Sequence, residues 1–114
     1  MIRICVCGGR DYNDRERLYH VLDTAKAIMP NLILVHGDAK GADSLADEWA
    51  QNRKVTVERF PADWDKHKKS AGPIRNRQMI ASGIACLVAF PGGRGTADMV
   101  AACRKAGIAV KEIQ

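Results

Sequence analysis

The chain has 114 residues, enough for one hydrophobic core and too few for two, so residues 1–114 are read as a single domain. With 46% apolar and 27% charged residues it has a globular composition, and no run reaches the roughly 18 apolar residues of a membrane span. A net charge of +5 allows an acidic partner without naming one.

Ile2 to Cys7 reads as the first strand. It is too short, and too soon interrupted by glycine, for a signal peptide, so a cytoplasmic protein is expected. Asn13 or Asp14 caps a helix running to Met29, with Leu18, Val21, Leu22, Ala25, Ile28 and Met29 as its apolar stripe. Leu32 to Val35 is a continuously apolar strand, as expected when both faces are covered. A helix follows from Gly41 to Arg53, burying Ala42, Leu45, Ala46, Trp49 and Ala50. Val55 to Phe60 is a third strand, and Pro61 to Gly72 a long polar connection. Pro73 opens a helix that ends near Ala81. Ile84 to Phe90 is the fourth strand, Thr96 to Ala106 the last helix, stopped by Gly107, and Ile108 to Ile113 a short final strand. This alternation predicts an α/β, three-layer Rossmann-like domain: a mostly parallel five-stranded sheet with helices on both faces.

In such sheets ligands bind beyond the carboxyl ends of the strands, near the point where strand order reverses. The loops at that edge hold the unusual residues: Gly8-Gly9-Arg10-Asp11-Tyr12, then residues 36–43, then 61–67, then Phe90-Pro91-Gly92-Gly93-Arg94-Gly95-Thr96. The opposite edge is plain. The last loop is the most informative. Glycines between a strand and a helix bare backbone N–H groups beside the positive end of the helix, a cradle for phosphate or carboxylate. Thr96 is placed to cap that helix. Pro91, Gly92, Gly93, Gly95 and Thr96 are expected to hold a phosphate, with Gly8 and Gly9 allowing close approach and Arg10 and Arg94 supplying planar donors. Gly37 belongs to the second loop. Asp38 and Asp43 there can accept from ribose hydroxyls or a base amine, and Asp38 can equally cap the second helix. Trp64 or Tyr12 can stack on a base, although covering the core is the commoner fate of a Trp in a domain of this size.

The remaining residues narrow the choice. No Gly-Lys-Ser/Thr follows the glycines, so this is not a P-loop, and the first turn lacks the later glycine of a dinucleotide fingerprint. His36, at a strand end, reads as a structural histidine, and His20 faces out of its helix. Cys5, Cys7, Cys86 and Cys103 read as small core residues rather than zinc ligands, and neither a metal nor a cofactor is expected. Lys66, Lys68, Lys69, Arg75 and Arg77 form a basic run that is either a solvated face or a polyanion site. A nucleic-acid partner enters there, without the aromatic interleaving of a single-strand platform.

Four segments in order, Gly-Gly-Arg-Asp-Tyr (8–12), His-Gly-Asp-Ala-Lys-Gly-Ala-Asp (36–43), Ala-Gly-Pro-Ile-Arg-Asn-Arg-Gln-Met (71–79) and Phe-Pro-Gly-Gly-Arg-Gly-Thr-Ala-Asp-Met (90–99), make the chain resemble the small YspA-related branch of the SLOG superfamily. The resemblance implies a Rossmann-like domain binding nucleotides or nucleotide-derived ligands. Relatives include the LOG phosphoribohydrolases, which cleave the base from a nucleoside monophosphate, and the DNA-binding protein DprA. Relatives often pair through helices, which leaves a homodimer open. LOG enzymes carry Pro-Gly-Gly-x-Gly-Thr-x-x-Glu, and here Pro91, Gly92, Gly93, Gly95 and Thr96 match while Met99 occupies the glutamate position. Asp98 precedes it by one residue, which on a helix turns a side chain by about 100°. Arg75 or Arg77, with Met79, resembles the LOG arginine. The resemblance thus implies Asp98, Arg75 and Arg77 as the catalytic set of a nucleoside-monophosphate glycosidase, in which Asp98, or another rim carboxylate such as Asp38 or Asp43, steadies an oxocarbenium-like transition state.

Overall fold

A computed structural model describes Met1–Gln114. The strands are β1 (Arg3–Cys7), β2 (Ile33–His36), β3 (Val57–Arg59), β4 (Cys86–Ala89) and β5 (Ala109–Glu112). They form one sheet in the order β3-β2-β1-β4-β5, every neighbouring pair parallel. The helices are α1 (Arg15–Ile28), α2 (Ala42–Asn52), α3 (Trp64–His67), α4 (Ala71–Ala81) and α5 (Arg94–Lys105). This is the Rossmann-like order, and the sheet is parallel throughout. No helix is long and apolar enough to cross a membrane.

Strand alternation sorts the core into two layers. Ile4 and Val6 of β1 point to one face, where Leu18 and Leu22 of α1 meet Ala46, Trp49 and Ala50 of α2. Cys5 points to the other face, among Met79 of α4 and Met99, Val100 and Cys103 of α5. Trp49 is fully buried, and its indole N–H donates to Asp23 Oδ1 at 2.8 Å. The four cysteines are unpaired and packed in or against these layers.

Three departures from the sequence reading bear on the packing and the site. Ile28 is 73% exposed rather than part of the α1 stripe. Six residues beyond Leu22 is about 600° of rotation, which carries it off the buried face. The connection from Pro61 is not irregular: α3 and a 3₁₀ turn (Lys68–Ser70) run into α4, which starts at Ala71. Pro73 is therefore the third residue of α4, where its missing N–H would have had no partner anyway. Asp63 caps α3 by accepting from the Lys66 N–H at 3.1 Å. Finally, α5 begins at Arg94, inside the glycine segment, with Gly93 as its cap residue and no side-chain cap. Thr96 lies within the first turn and caps nothing.

His36, at the end of β2, is structural, as the sequence reading holds. It is 1% exposed; Nδ1 accepts the Asp38 backbone N–H at 2.9 Å, so Nε2 carries the proton and donates to Asp47 Oδ2 at 2.6 Å. Arg59 grips the same carboxylate through two hydrogen bonds and, with Gln51 and His36, holds its pKa well below the ordinary 3.8. Asp47→Ala would leave the buried His36 N–H without an acceptor. We expect a loss of about 2 kcal/mol in urea denaturation. Because the folded pKa is depressed, this stabilisation is present above the ordinary carboxylate value and lost as pH falls below it; the stability lost on acidification below pH ~4 should be smaller in the variant.

Candidate functional site

Strand order reverses between β1 and β4: the chain leaves β1 towards one face and β4 towards the other. The gap between the diverging loops is a cavity of about 570 Å³, within the usual ligand-pocket range of about 300–1,000 Å³. Four segments meet in it: Cys7 to Arg10, the loop carrying Ala39 with the start of α2 at Asp43, Trp64 to Asn76, and Gly93 to Asp98.

Of the residues expected at a site, Gly8, Gly9, Arg10, Asp43, Trp64, Arg75, Gly93, Arg94, Gly95, Thr96 and Asp98 line this cavity. At the α5 end, the backbone N–H groups of Arg94, Gly95 and Thr96 have no partner in the chain, since the first helical bond is Ala97 N–H to Gly93 C=O at 3.0 Å. They add to the positive end of a helix of 12 residues. The cations at this wall are also unengaged: Arg10, Lys69 and Arg94 make no ion pair or side-chain hydrogen bond. Arg10 lies over the Trp64 ring at 5.6 Å, and Trp64 stands 46% exposed at the rim instead of covering the core.

Other expected residues do something else. Gly37 does not reach the cavity: the Arg75 guanidinium fills the space where a Gly37 side chain would be and donates to the Gly37 carbonyl. Asp38, exposed with φ of 57°, opens onto a separate groove beside Ser44 and Asp47, and it does not cap α2. Tyr12 packs its ring on Phe90 with centroids 5.2 Å apart, so it is turned to the core and not to a base. Pro91 and Gly92 form the outer wall of the loop. Pro91 C=O accepts from Gly9 N–H at 2.9 Å, which takes that donor away from any ligand. A Cβ at Gly92 would lie 2.6 Å from the Gly9 nitrogen and 2.9 Å from Thr96 Cβ, so this glycine serves the packing of two loops.

The carboxylate and arginine expected to act together are already bound to each other. Arg77 holds both oxygens of Asp98, at 2.6 and 3.1 Å, and Asn76 Nδ2 adds a bond at 3.0 Å. Arg77 foremost, then Asn76, pulls the Asp98 pKa down. Arg77 therefore stands outside the cavity, and Met99 is fully buried in the α5 core face. The thiol of Cys7, at the cavity floor, is pushed up to about 12 by burial and is not a thiolate at neutral pH.

Sequence reasoning passed over Asn76. It is 4% exposed, accepts from Arg75 Nε at 3.1 Å and donates to Asp98, linking α4 to the first turn of α5. Lys69 was seen only as part of a basic run. An amide flanked by two arginines in a helix is a signal by which Asn76 could have been found; nothing local distinguished Lys69 from Lys66 or Lys68. Within the run, Arg75 donates to the Gly37 carbonyl and Arg77 pairs with Asp98, while Lys66, Lys68 and Lys69 are exposed.

Comparison with known proteins agrees with this architecture. The X-ray structure of the structural-genomics target TM1055 superposes with a TM-score of 0.73 at 15% identity, covering 96% of this chain and 72% of that one; it shares the fold. The gene 61 protein of Mycobacterium phage D29 is 39% identical over 118 residues, which is 96% of this chain and 94% of the phage protein. Residues 2–67 match the family model described as YspA, cpYpsA-related SLOG family. With more than half its length matched to that model, the chain belongs to the YspA, cpYpsA-related SLOG family.

Proposed function

We propose that this protein binds a nucleotide-derived ligand whose phosphate sits on the first turn of α5. The observation that carries the reading is the convergence of three unpartnered N–H groups (Arg94, Gly95, Thr96) and three unpaired cations (Arg10, Lys69, Arg94) on one cavity. Water satisfies such groups in the empty state; a phosphate gains charge-assisted bonds from all of them at once. The exposed Trp64 face at the rim offers a base a stacking surface. Family membership supports the nucleotide class.

The test is thermal denaturation with AMP, ADP, ribose 5-phosphate and adenosine. A ligand bound only to the native state at 100 times its Kd stabilises by about 2.7 kcal/mol. We expect the phosphorylated compounds to raise the melting temperature and adenosine to do so far less. If no phosphorylated compound does so at millimolar concentration, the reading is wrong.

The geometry favours binding over glycoside hydrolysis. A carboxylate that must face a developing cation is poorly placed when Arg77 and Asn76 already occupy it. We therefore expect no adenine from AMP with either the wild type or Asp98→Asn, as read by chromatography. Release by the wild type that Asp98→Asn abolishes would restore the hydrolase reading. A nucleic-acid partner is less favoured, since two of the five basic residues in the 66–77 segment are committed internally.

A further inference from the structure

We propose that Asp43, which lines the same cavity, reads a hydrogen-bond donor on the part of the ligand outside its phosphate. The proposal rests on the phosphate reading above and adds the specificity-determining residue and the chemistry it selects. Asp43 is 6% exposed and lines the cavity. One of its oxygens, Oδ2, accepts both loop N–H groups, from Gly37 at 3.1 Å and Ala39 at 3.2 Å. The other, Oδ1, takes no hydrogen bond from the chain, and it is not a sealed atom: the one fully enclosed side-chain oxygen without a partner is Tyr12 Oη.

Holding the loop requires one oxygen, and an asparagine would supply it without burying a charge. A buried carboxylate costs free energy unless it is paired, yet no arginine, lysine or histidine forms an ion pair with Asp43. Burial pushes its pKa up, while His36, the two loop N–H groups and Arg75 pull the other way. The cavity-side oxygen thus has a strong acceptor's charge and no donor. A ligand O–H or N–H placed there forms a charge-assisted bond that water in a half-closed cavity supplies less well. Arg75 and Asn76, the polar side chains of α4 that also line the cavity, are held by Gly37 and Asp98 rather than by Asp43. Two sources of that donor exist on a nucleotide: the sugar hydroxyls and an exocyclic base amine.

Calorimetric titration separates them. The probes are AMP, 2′,3′-dideoxy-AMP (no sugar hydroxyls), purine riboside 5′-monophosphate (no amine) and inorganic phosphate, each against the wild type and Asp43→Asn. In the variant the amide oxygen can still hold Gly37 and Ala39, but the cavity-side acceptor becomes a donor. In the wild type we expect one of the two depleted analogues to bind at least tenfold more weakly than AMP, which identifies the source. Asp43→Asn should remove that difference without weakening inorganic phosphate, since the substitution removes no phosphate donor and takes a like charge out of the cavity. A purely structural role would weaken all probes alike and keep the ratio. The proposal is overturned if AMP and both analogues bind the wild type equally, a comparison that needs no variant to fold, or if the ratio survives in Asp43→Asn. Failure of every phosphate compound to bind the wild type would remove the phosphate reading, and this proposal with it.

Discussion

Gly41→Ala should destabilise the protein by about 4 kcal/mol, enough to lower the melting temperature by more than about 10 °C. Gly41 caps α2 at φ 76° and ψ −121°, a conformation that L residues rarely adopt. A Cβ there would run into the Gly9 carbonyl and lie 2.6 Å from the carbonyl carbon of Arg10. These are backbone atoms of the neighbouring loop, so no side chain can swing aside. The same contact places Ala42 N–H 3.2 Å from the Gly9 carbonyl, tying the start of α2 to the end of β1. Both strain and overpacking act, at about 1–3 kcal/mol each. A domain of this size has only about 5–15 kcal/mol in total, so the loss is large. Chemical denaturation checks it. A change below about 1 kcal/mol would mean the two loops can separate without cost. Because Gly9 and Arg10 wall the cavity, ligand affinity should fall in the same variant even where it remains folded.

Arg94→Ala and Lys69→Ala should each weaken a phosphorylated ligand about tenfold, and the double variant about a hundredfold. Neither side chain has a partner to lose in the free protein, so folding stability should change little. This separates a binding role from a structural one. The effect should shrink as salt rises, because both groups are exposed and screened. Isothermal titration with ribose 5-phosphate at two ionic strengths reads both numbers. Binding unaffected by the double substitution would place the phosphate elsewhere. The backbone donors of α5 would remain in either variant, so residual binding is expected.

Much of the fold was legible before any coordinates. Continuous apolar strands separated by amphipathic helices leave few arrangements of a parallel sheet, and right-handed crossovers remove most of the rest. The reading of the cysteines as small core residues also agrees with the structure, where Cys5 and Cys103 are buried in one core layer. The boundaries were less legible, above all for α5. Glycines in a strand–helix loop read as turn residues, yet Arg94 and Gly95, expected in the loop, are helical in the structure, where the N–H groups of a first turn need no partner within the helix. The site was legible as a set of loops at one sheet edge, a consequence of parallel topology alone.

What only the tertiary structure decided is which of those residues face each other. Arg75, Arg77 and Asp98 stood in the sequence as one catalytic set. In space Arg77 and Asp98 neutralise one another and Arg75 anchors the loop at Gly37. Asp38 and Asp43, five residues apart, read alike, yet one is exposed beside a separate groove and the other is buried at the cavity. Sequence determined the periodicities, the sheet-edge location of the unusual loops and the presence of a glycine-rich loop at the head of α5, because these depend on local geometry and chain order. Pairing, burial and the freedom of a charge depend on distances across the fold between segments far apart in the chain, and no local pattern encodes them.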